Sequence, residues 1–166
     1  MPSDLATHGD LTVRQTTRLP DDFEILFQAA VEDGFRAIER LKADWESGAN
    51  RFKAPGEAFF EARRDGELVG VCGLNRDPFA SEKGVGRLRR MFVMPQARRE
   101  GVGRLLTAKA LEHALAEFEV VRLRTHSEQA DKFYRALGFS PIDSDDATHE
   151  FVLKQGRGDA GAGRSS

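Results

Sequence analysis

The sequence predicts an α/β (α+β) fold: a mixed, mostly antiparallel central sheet containing one parallel strand pair and flanked by helices. Three observations carry this. Asp65-Gly66 separates two strand patterns, residues 57–64 and 67–75, and that dipeptide is a strong hairpin signal, so these strands pair antiparallel. A strand pattern at residues 88–94, a helical pattern opening at Arg104 and a short β-rich run at residues 120–125 follow in order. Strand, helix, strand implies a right-handed crossover and parallel pairing. Upstream, two apolar stripes at helical spacing, interrupted by Gly34, mark a pair of amphipathic helices.

Residues 1–10 are polar and read as a flexible N-terminus. Residues 11–17 alternate (Leu11, Val13, Gln15, Thr17) and form a first strand. Pro20-Asp21-Asp22 starts a helix whose apolar stripe is Phe23, Leu26, Phe27, Ala30 and Val31. Phe35, Ile38, Leu41 and Trp45 continue a second helix to about Ser47, and residues 48–56 are a loop. In the hairpin, the strand from Leu68 to Leu74 is the more buried, with Cys72 as a small core residue. A polar loop at residues 76–85 leads to the central strand, in which Leu88 and Met91 have opposite parity. That strand is therefore buried on both faces or bulged. The following helix is expected to bury Leu105, Leu106, Ala108, Leu111, Leu115 and Phe118. Ser127 or Thr125 caps a helix at residues 128–137 that Gly138 ends. Residues 140–142 and 150–154 are closing strands, and residues 155–166 have the composition of a disordered tail, which leaves one domain over residues 11–154.

The 166 residues suit one domain, and 40% hydrophobic content suits one core. A net charge of -2 argues against a general nucleic-acid binder. The charge is uneven: acidic residues dominate residues 21–46 and basic ones residues 83–104. The single cysteine excludes an intramolecular disulfide framework and a Cys-rich metal site, and no His/Asp/Glu cluster has metal-ligand spacing. No signal-peptide pattern and no run of roughly 18 apolar residues is present, so a cytoplasmic protein without membrane association is expected.

The most informative stretch is residues 87–103, RLRRMFVMPQARREGVG. A strand ends at Pro95, a basic and glycine-rich turn follows, and a helix opens at once. The first turn of a helix has unpaired backbone N–H groups and the positive end of the macrodipole. Glycines let a phosphate approach those amides. Arg98, Arg99 and Arg104 add charge at the same place. The turn is not a dinucleotide fingerprint, since Leu106 stands where a third glycine belongs, and it lacks the Gly-Lys-Ser/Thr of a Walker A loop.

Arg98-x-x-Gly101-x-Gly103 matches the (Gln/Arg)-x-x-Gly-x-(Gly/Ala) element of the GNAT acyl-CoA N-acyltransferases, and Ala130-x-x-Phe133-Tyr134-x-x-x-Gly138-Phe139 resembles that family's second signature. The strand Leu88-Arg89-Arg90-Met91-Phe92-Val93-x-Pro95 looks like the one that leads into the first element. The resemblance implies a bulge that splays this strand from its parallel neighbour, with the acyl-CoA chain entering the gap. It implies backbone N–H groups near Phe92 and Val93 on the thioester oxygen, and the pyrophosphate on the amides of Arg99, Gly101, Val102, Gly103 and Arg104. Ser127 stands where the family often has a cofactor-contacting asparagine. Tyr134, the chain's only tyrosine, stands where the family often has its general acid, and a phenol can protonate a thiolate of comparable basicity.

One departure concerns the base. Many family members carry a glutamate just before the central strand, where this chain has Arg87. Glu61, Asp77, Glu82 and His126 are the other candidates, none singled out. The implied activity is N-acyl transfer, acetyl by default, from acetyl-CoA to a primary amine on a small molecule or protein, without metal. The alternative is an acyl-CoA-binding sensor without turnover. Dimers are frequent in the family, so a homodimer is an expected state. The acidic first helices suit a cationic acceptor, whereas Arg87, Arg89 and Arg90 suit an acceptor carboxylate; both stay open.

Overall fold

A computed structural model describes residues 10–153; the expected tail and all but the last residue of the expected N-terminal arm lie outside the described residues. The chain runs through β1 (Leu11–Gln15), α1 (Phe23–Glu32), α2 (Arg36–Ser47), β2 (Ala58–Arg64), β3 (Glu67–Arg76) and β4 (Val85–Val93). A short 3-10 turn (Pro95–Ala97) then leads to α3 (Val102–Ala114), β5 (Val120–Leu123), α4 (Glu128–Ala136), β6 (Ser140–Pro141) and β7 (His149–Val152). The seven strands form one sheet in the order β1-β2-β3-β4-β5-β7-β6. All neighbours are antiparallel except β4 and β5, as the crossover through α3 requires. At the β2–β3 hairpin, Asp65 and Gly66 both take positive φ (52° and 87°), the twist that lets two strands return on each other.

The two faces of the sheet are covered differently. On one, α3 lies so close that a Cβ on Gly70 would sit 3.0 Å from Val102 and one on Gly86 would sit 2.8 Å from Phe118. The helix packs through Val102, Leu106, Ala110 and Ala114, and Phe118, just past its end, continues the four-residue spacing. This corrects the expected stripe. Leu115 is 47% exposed, and Ala108 is exposed too, because small alanines rather than the bulkiest residues let the helix settle on the strands. On the other face, α1 and α2 cover an aromatic cluster in which Trp45 and Phe59 ring centroids are 5.1 Å apart and Phe52 and Phe59 are 5.5 Å apart. Burying each such ring stabilises the fold by about 1.5–3 kcal/mol. Gly73 lies directly beneath Phe52, where a Cβ would come within 2.3 Å of the ring.

β4 starts at Val85, earlier than expected, because Val85, Gly86 and Arg87 pair with Val120, Val121 and Arg122 of β5. Beyond Arg87 that pairing stops, although β4 continues to Val93. Within β4, Gly73 faces Arg89 and Val71 faces Phe92, so Arg90 and Met91 together oppose Cys72. Arg90 has φ 60°. This bulge explains the opposite parity of Leu88 and Met91. The splay and the bulge leave an open strand edge at the centre of the sheet.

Candidate active site

The turn before α3 is open on its outer side. Arg99 and Gly101 both have positive φ, 68° and 90°. No side chain caps the helix, and its first internal bond runs from the Leu105 N–H to the Gly101 carbonyl at 3.0 Å. The N–H groups of Val102, Gly103 and Arg104 therefore point out of the helix end. A Cβ on Gly101 would meet nothing within 4 Å, so the left-handed backbone alone calls for glycine there. At Gly103 the reason is packing: a Cβ would sit 3.2 Å from Phe133, so the glycine lets α3 and α4 approach.

The three arginines of the turn differ. Arg98 donates from Nε to the Val93 carbonyl at 2.9 Å and pairs with Asp33 at 2.9 Å, with its guanidinium 5.3 Å above the Phe92 ring. It braces the end of β4 against α1. Arg99 and Arg104 are exposed and make no ion pair among the described residues. The Met94 N–H bonds to Val69 of β3 at 2.8 Å. Strand alternation then turns Val93's N–H and carbonyl the other way, toward the open edge. Phe92 is buried, with its ring 5.5 Å from Phe35.

Tyr134 lies on the α3–α4 side of the same opening. It is 8% exposed, with its ring edge-on to Phe133 (4.9 Å) and Phe139 (5.4 Å). Burial pushes its phenol well above the ordinary value near 10, and the neighbouring Cys72 adds to the effect. Cys72, opposite the bulge, is itself pushed up by burial. Both groups hold their protons at neutral pH. Ser127 caps α4 by accepting from the Ala130 N–H at 3.0 Å, which leaves its O–H able to donate. His149 ties α4 to β7: its Nε2 is 2.7 Å from Asp131 and its Nδ1 is 2.8 Å from the Thr148 hydroxyl. The His149 bond, then Arg135, hold the Asp131 carboxyl below its usual range. Sequence reasoning missed this tether, since the pair is eighteen residues apart and no local pattern links them.

The α1–α2 side of the opening is charged. Arg87 is buried and contacts Asp77 at 3.4 Å and the Asp146 carbonyl at 2.7 Å. Arg90 pairs with Asp44 of α2 at 3.4 Å. The base candidates are placed elsewhere or engaged. Glu61 is buried on β2 and holds Arg14 and Arg63 at 2.9 and 2.8 Å. Asp77 holds Arg87, exposed Glu82 pairs with Arg122 at 3.3 Å, and His126 is exposed after β5. A polar crevice of about 430 Å³, lined by Arg14, Thr16, Arg18, Glu61 and Arg63 among others, lies at the β1 edge away from the opening. Among the described residues, no group of three or more His, Cys, Asp or Glu is placed to hold a metal ion. No helix among them is long and apolar enough to cross a membrane.

Residues 20–139 match the acetyltransferase (GNAT) family model. The chain belongs to the GNAT family. An uncharacterized N-acetyltransferase of Archaeoglobus fulgidus is 45% identical over 56 residues, a stretch covering 32% of this chain and 38% of that relative. The chain thus spans well under two thirds of that relative's length along the match. A solved structure from Exiguobacterium sp. 255-15, assigned as an acetyltransferase, is 27% identical with a TM-score of 0.77, covering 91% of this chain and 98% of that one. The Escherichia coli GNAT family N-acetyltransferase YhbS, solved in complex with CoA, shares the fold at 13% identity, with a TM-score of 0.66 over 89% of this chain and 84% of its own. The mixed sheet with one parallel strand pair and its flanking helices is thus a GNAT fold.

Proposed function

We propose that this GNAT chain transfers an acetyl group from acetyl-CoA to a primary amine of a small molecule or protein by direct attack. The observation that carries this is the convergence of three features at one opening: the unpaired β4 edge beyond Arg87, the uncapped N-terminus of α3, and Tyr134. The pyrophosphate sits on the amides from Arg99 to Arg104, with the Arg99 and Arg104 side chains and the Ser127 hydroxyl nearby. Arg98 contributes by fixing the turn. The pantetheine arm lies along the β4 edge as an added strand. The thioester oxygen takes its hydrogen bond from the Phe92–Val93 segment, where Val93 faces the opening.

The neutral amine attacks the thioester carbon, and the carbonyl electrons move onto the oxygen held by the strand. The oxyanion then collapses, the C–S bond breaks, and the thiolate takes the Tyr134 proton. The amine's surplus proton leaves to water, and water returns a proton to the Tyr134 phenolate. Burial keeps the Tyr134 phenol protonated until the thiolate forms. A second reading, an acyl-CoA sensor without turnover, is favoured by Arg87 in the usual glutamate's place and by the engagement of the candidate carboxylates Glu61, Asp77 and Glu82 among the described residues.

Calorimetry with acetyl-CoA, followed by thiol release against amino acids, polyamines, aminoglycosides and lysine peptides, tests both. Binding with amine-dependent release supports the enzyme; binding without release across the panel supports the sensor; absence of binding removes both. Gly101→Val, which is strained at φ 90° and crowds the amides, should weaken acetyl-CoA at least tenfold while the folded circular-dichroism spectrum persists. Unchanged affinity rejects the phosphate site.

A further inference from the structure

We infer that the acceptor amine carries a carboxylate, an amino acid being the class, and that Arg89 binds this carboxylate from the α1–α2 side of the gap. The inference rests on the acyl-transfer reading above and names its acceptor. Arg89 faces Gly73, whose side-chain direction is filled by Phe52, so Arg89 projects to the α1–α2 face. Arg87, two residues earlier, shares that face by strand parity. The bulge turns Arg90 to it as well, as its contact with Asp44 shows. One strand therefore sends three guanidinium groups, those of Arg87, Arg89 and Arg90, to one side.

Two of the three are neutralised. Arg87 has Asp77 and Arg90 has Asp44. Arg89 has no hydrogen bond or ion pair among the described residues, and its Nε is buried without a partner. Desolvation, then repulsion from Arg90 and Arg87, push its guanidinium down to about 10, and Asp44 and Asp77 offset this only partly. A half-buried cation between two like charges is costly unless an anion completes it. The guanidinium fork fits a carboxylate through two parallel hydrogen bonds. A carboxylate supplies the counter-charge that Arg89 lacks, in a cluster where Arg40 of α2 also repels Arg90.

Of the eight acids in residues 21–46, four are engaged, while Asp21, Glu32, Glu39 and Glu46 make no ion pair among the described residues. Asp22 holds Arg63, Glu24 meets Lys42, Asp33 holds Arg98 and Asp44 holds Arg90. The acid that reaches β4, Asp44, is taken by Arg90, which leaves Arg89 as the unpaired charge on that strand among the described residues. In the acyl-transfer reading the pantetheine arm runs from the α3 terminus along the β4 edge with Tyr134 on the α3–α4 side, so the acceptor enters from the opposite side, where Arg89 waits.

The test compares each amino acid with the amine lacking its carboxylate, such as L-leucine with isoamylamine and L-phenylalanine with phenethylamine, in acetyl-CoA-dependent thiol release. In parallel, calorimetry measures N-acetyl amino acids and their amides on the protein with and without CoA. The acids should exceed their matched amines at least tenfold in kcat/KM, and N-acetyl acids should bind where amides do not. Arg89→Gln should abolish both preferences while leaving acetyl-CoA affinity unchanged, and Arg89→Lys should restore part of them. Equal or better use of phenethylamine, spermidine or O-phosphoethanolamine overturns the inference. So does an Arg89→Gln protein that keeps the preference, or failure of every N-acetyl amino acid to bind. Absence of acetyl-CoA binding instead overturns the acyl-transfer reading, and the calorimetry without CoA still judges Arg89.

Discussion

The two sides of the β4–β5 opening are built from opposite chemistry. Toward α3 and α4 it is aromatic and uncharged, with Tyr134 among Phe133 and Phe139 and beside Cys72. Toward α1 and α2 it is lined by Arg87, Arg89 and Arg90, with Asp77 and Asp44 as partial counter-charges. One strand serves both sides, since Leu88 pairs with Leu74 and lies on the α3 side while Arg87 and Arg89 lie on the other. The difference suits a division of labour. A thioester is neutral and its leaving thiolate needs a proton, so a dry pocket that keeps a phenol protonated belongs on one side. An acceptor that must be oriented by charge belongs on the other.

The comparison breaks most sharply at Tyr134. Tyr134→Phe keeps the ring and its contacts and removes only the hydroxyl, so kcat for thiol release should fall by about 10²–10⁴-fold, the range of a lost general acid. Acetyl-CoA affinity by calorimetry should be unchanged. A variant at the wild-type rate removes Tyr134 from the mechanism and leaves its side of the gap a packing surface.

On the charged side the largest effect is on stability. Asp77→Ala strands buried Arg87 and frees the Phe79 N–H that Asp77 accepts at 3.0 Å. Denaturant unfolding should show a loss of about 3–5 kcal/mol, the cost of an uncompensated buried charge. Arg89→Met strands no partner among the described residues, so it should be neutral or stabilising in the same measurement. Equal losses for the two variants would mean that Arg89 is a structural cation like its neighbours.

What could be read beforehand was local along the chain. The hairpin is signalled by two adjacent residues, Asp65 and Gly66, and the anion-binding turn by a contiguous stretch ending at Gly103. The crossover follows from element order alone. What could not be read depends on partners distant in sequence. The parity of Leu88 and Met91 allowed a bulge or a doubly buried strand, and only the register against Val71 and Gly73 decides. Arg90 and Asp44 are 46 residues apart and Arg98 and Asp33 are 65 apart, so no local pattern could separate neutralised arginines from the one left over. The α3 stripe was misjudged for a related reason. Distance from the sheet, which Gly70 and Gly86 make short, favours Ala110 and Ala114 over larger residues.

The smallest expected effect asks which side of the opening acid loosens first. Asp22 accepts two 2.9 Å bonds from Arg63, which tie the start of α1 to β2, and Arg63 holds its carboxyl below the ordinary value near 3.8. Asp131 ties α4 to β7 through His149, which likewise holds its carboxyl down. A depressed carboxyl stabilises the fold fully above its unfolded value and loses that contribution as pH falls through the lower folded value. Neither carboxyl should therefore make stability vary with pH between 5 and 8, where both contribute fully, and both should lose that contribution below about pH 4. Asp22→Asn and Asp131→Asn should lower the melting temperature at pH 7 and flatten its decline in acid. The flattening should be greater for Asp22, whose two parallel bonds come from the largely buried Arg63, whereas Asp131 shares its carboxyl between His149 and the exposed Arg135. An acid limb unchanged by Asp22→Asn, with one flattened by Asp131→Asn, would reverse the order and make the aromatic side the first to open.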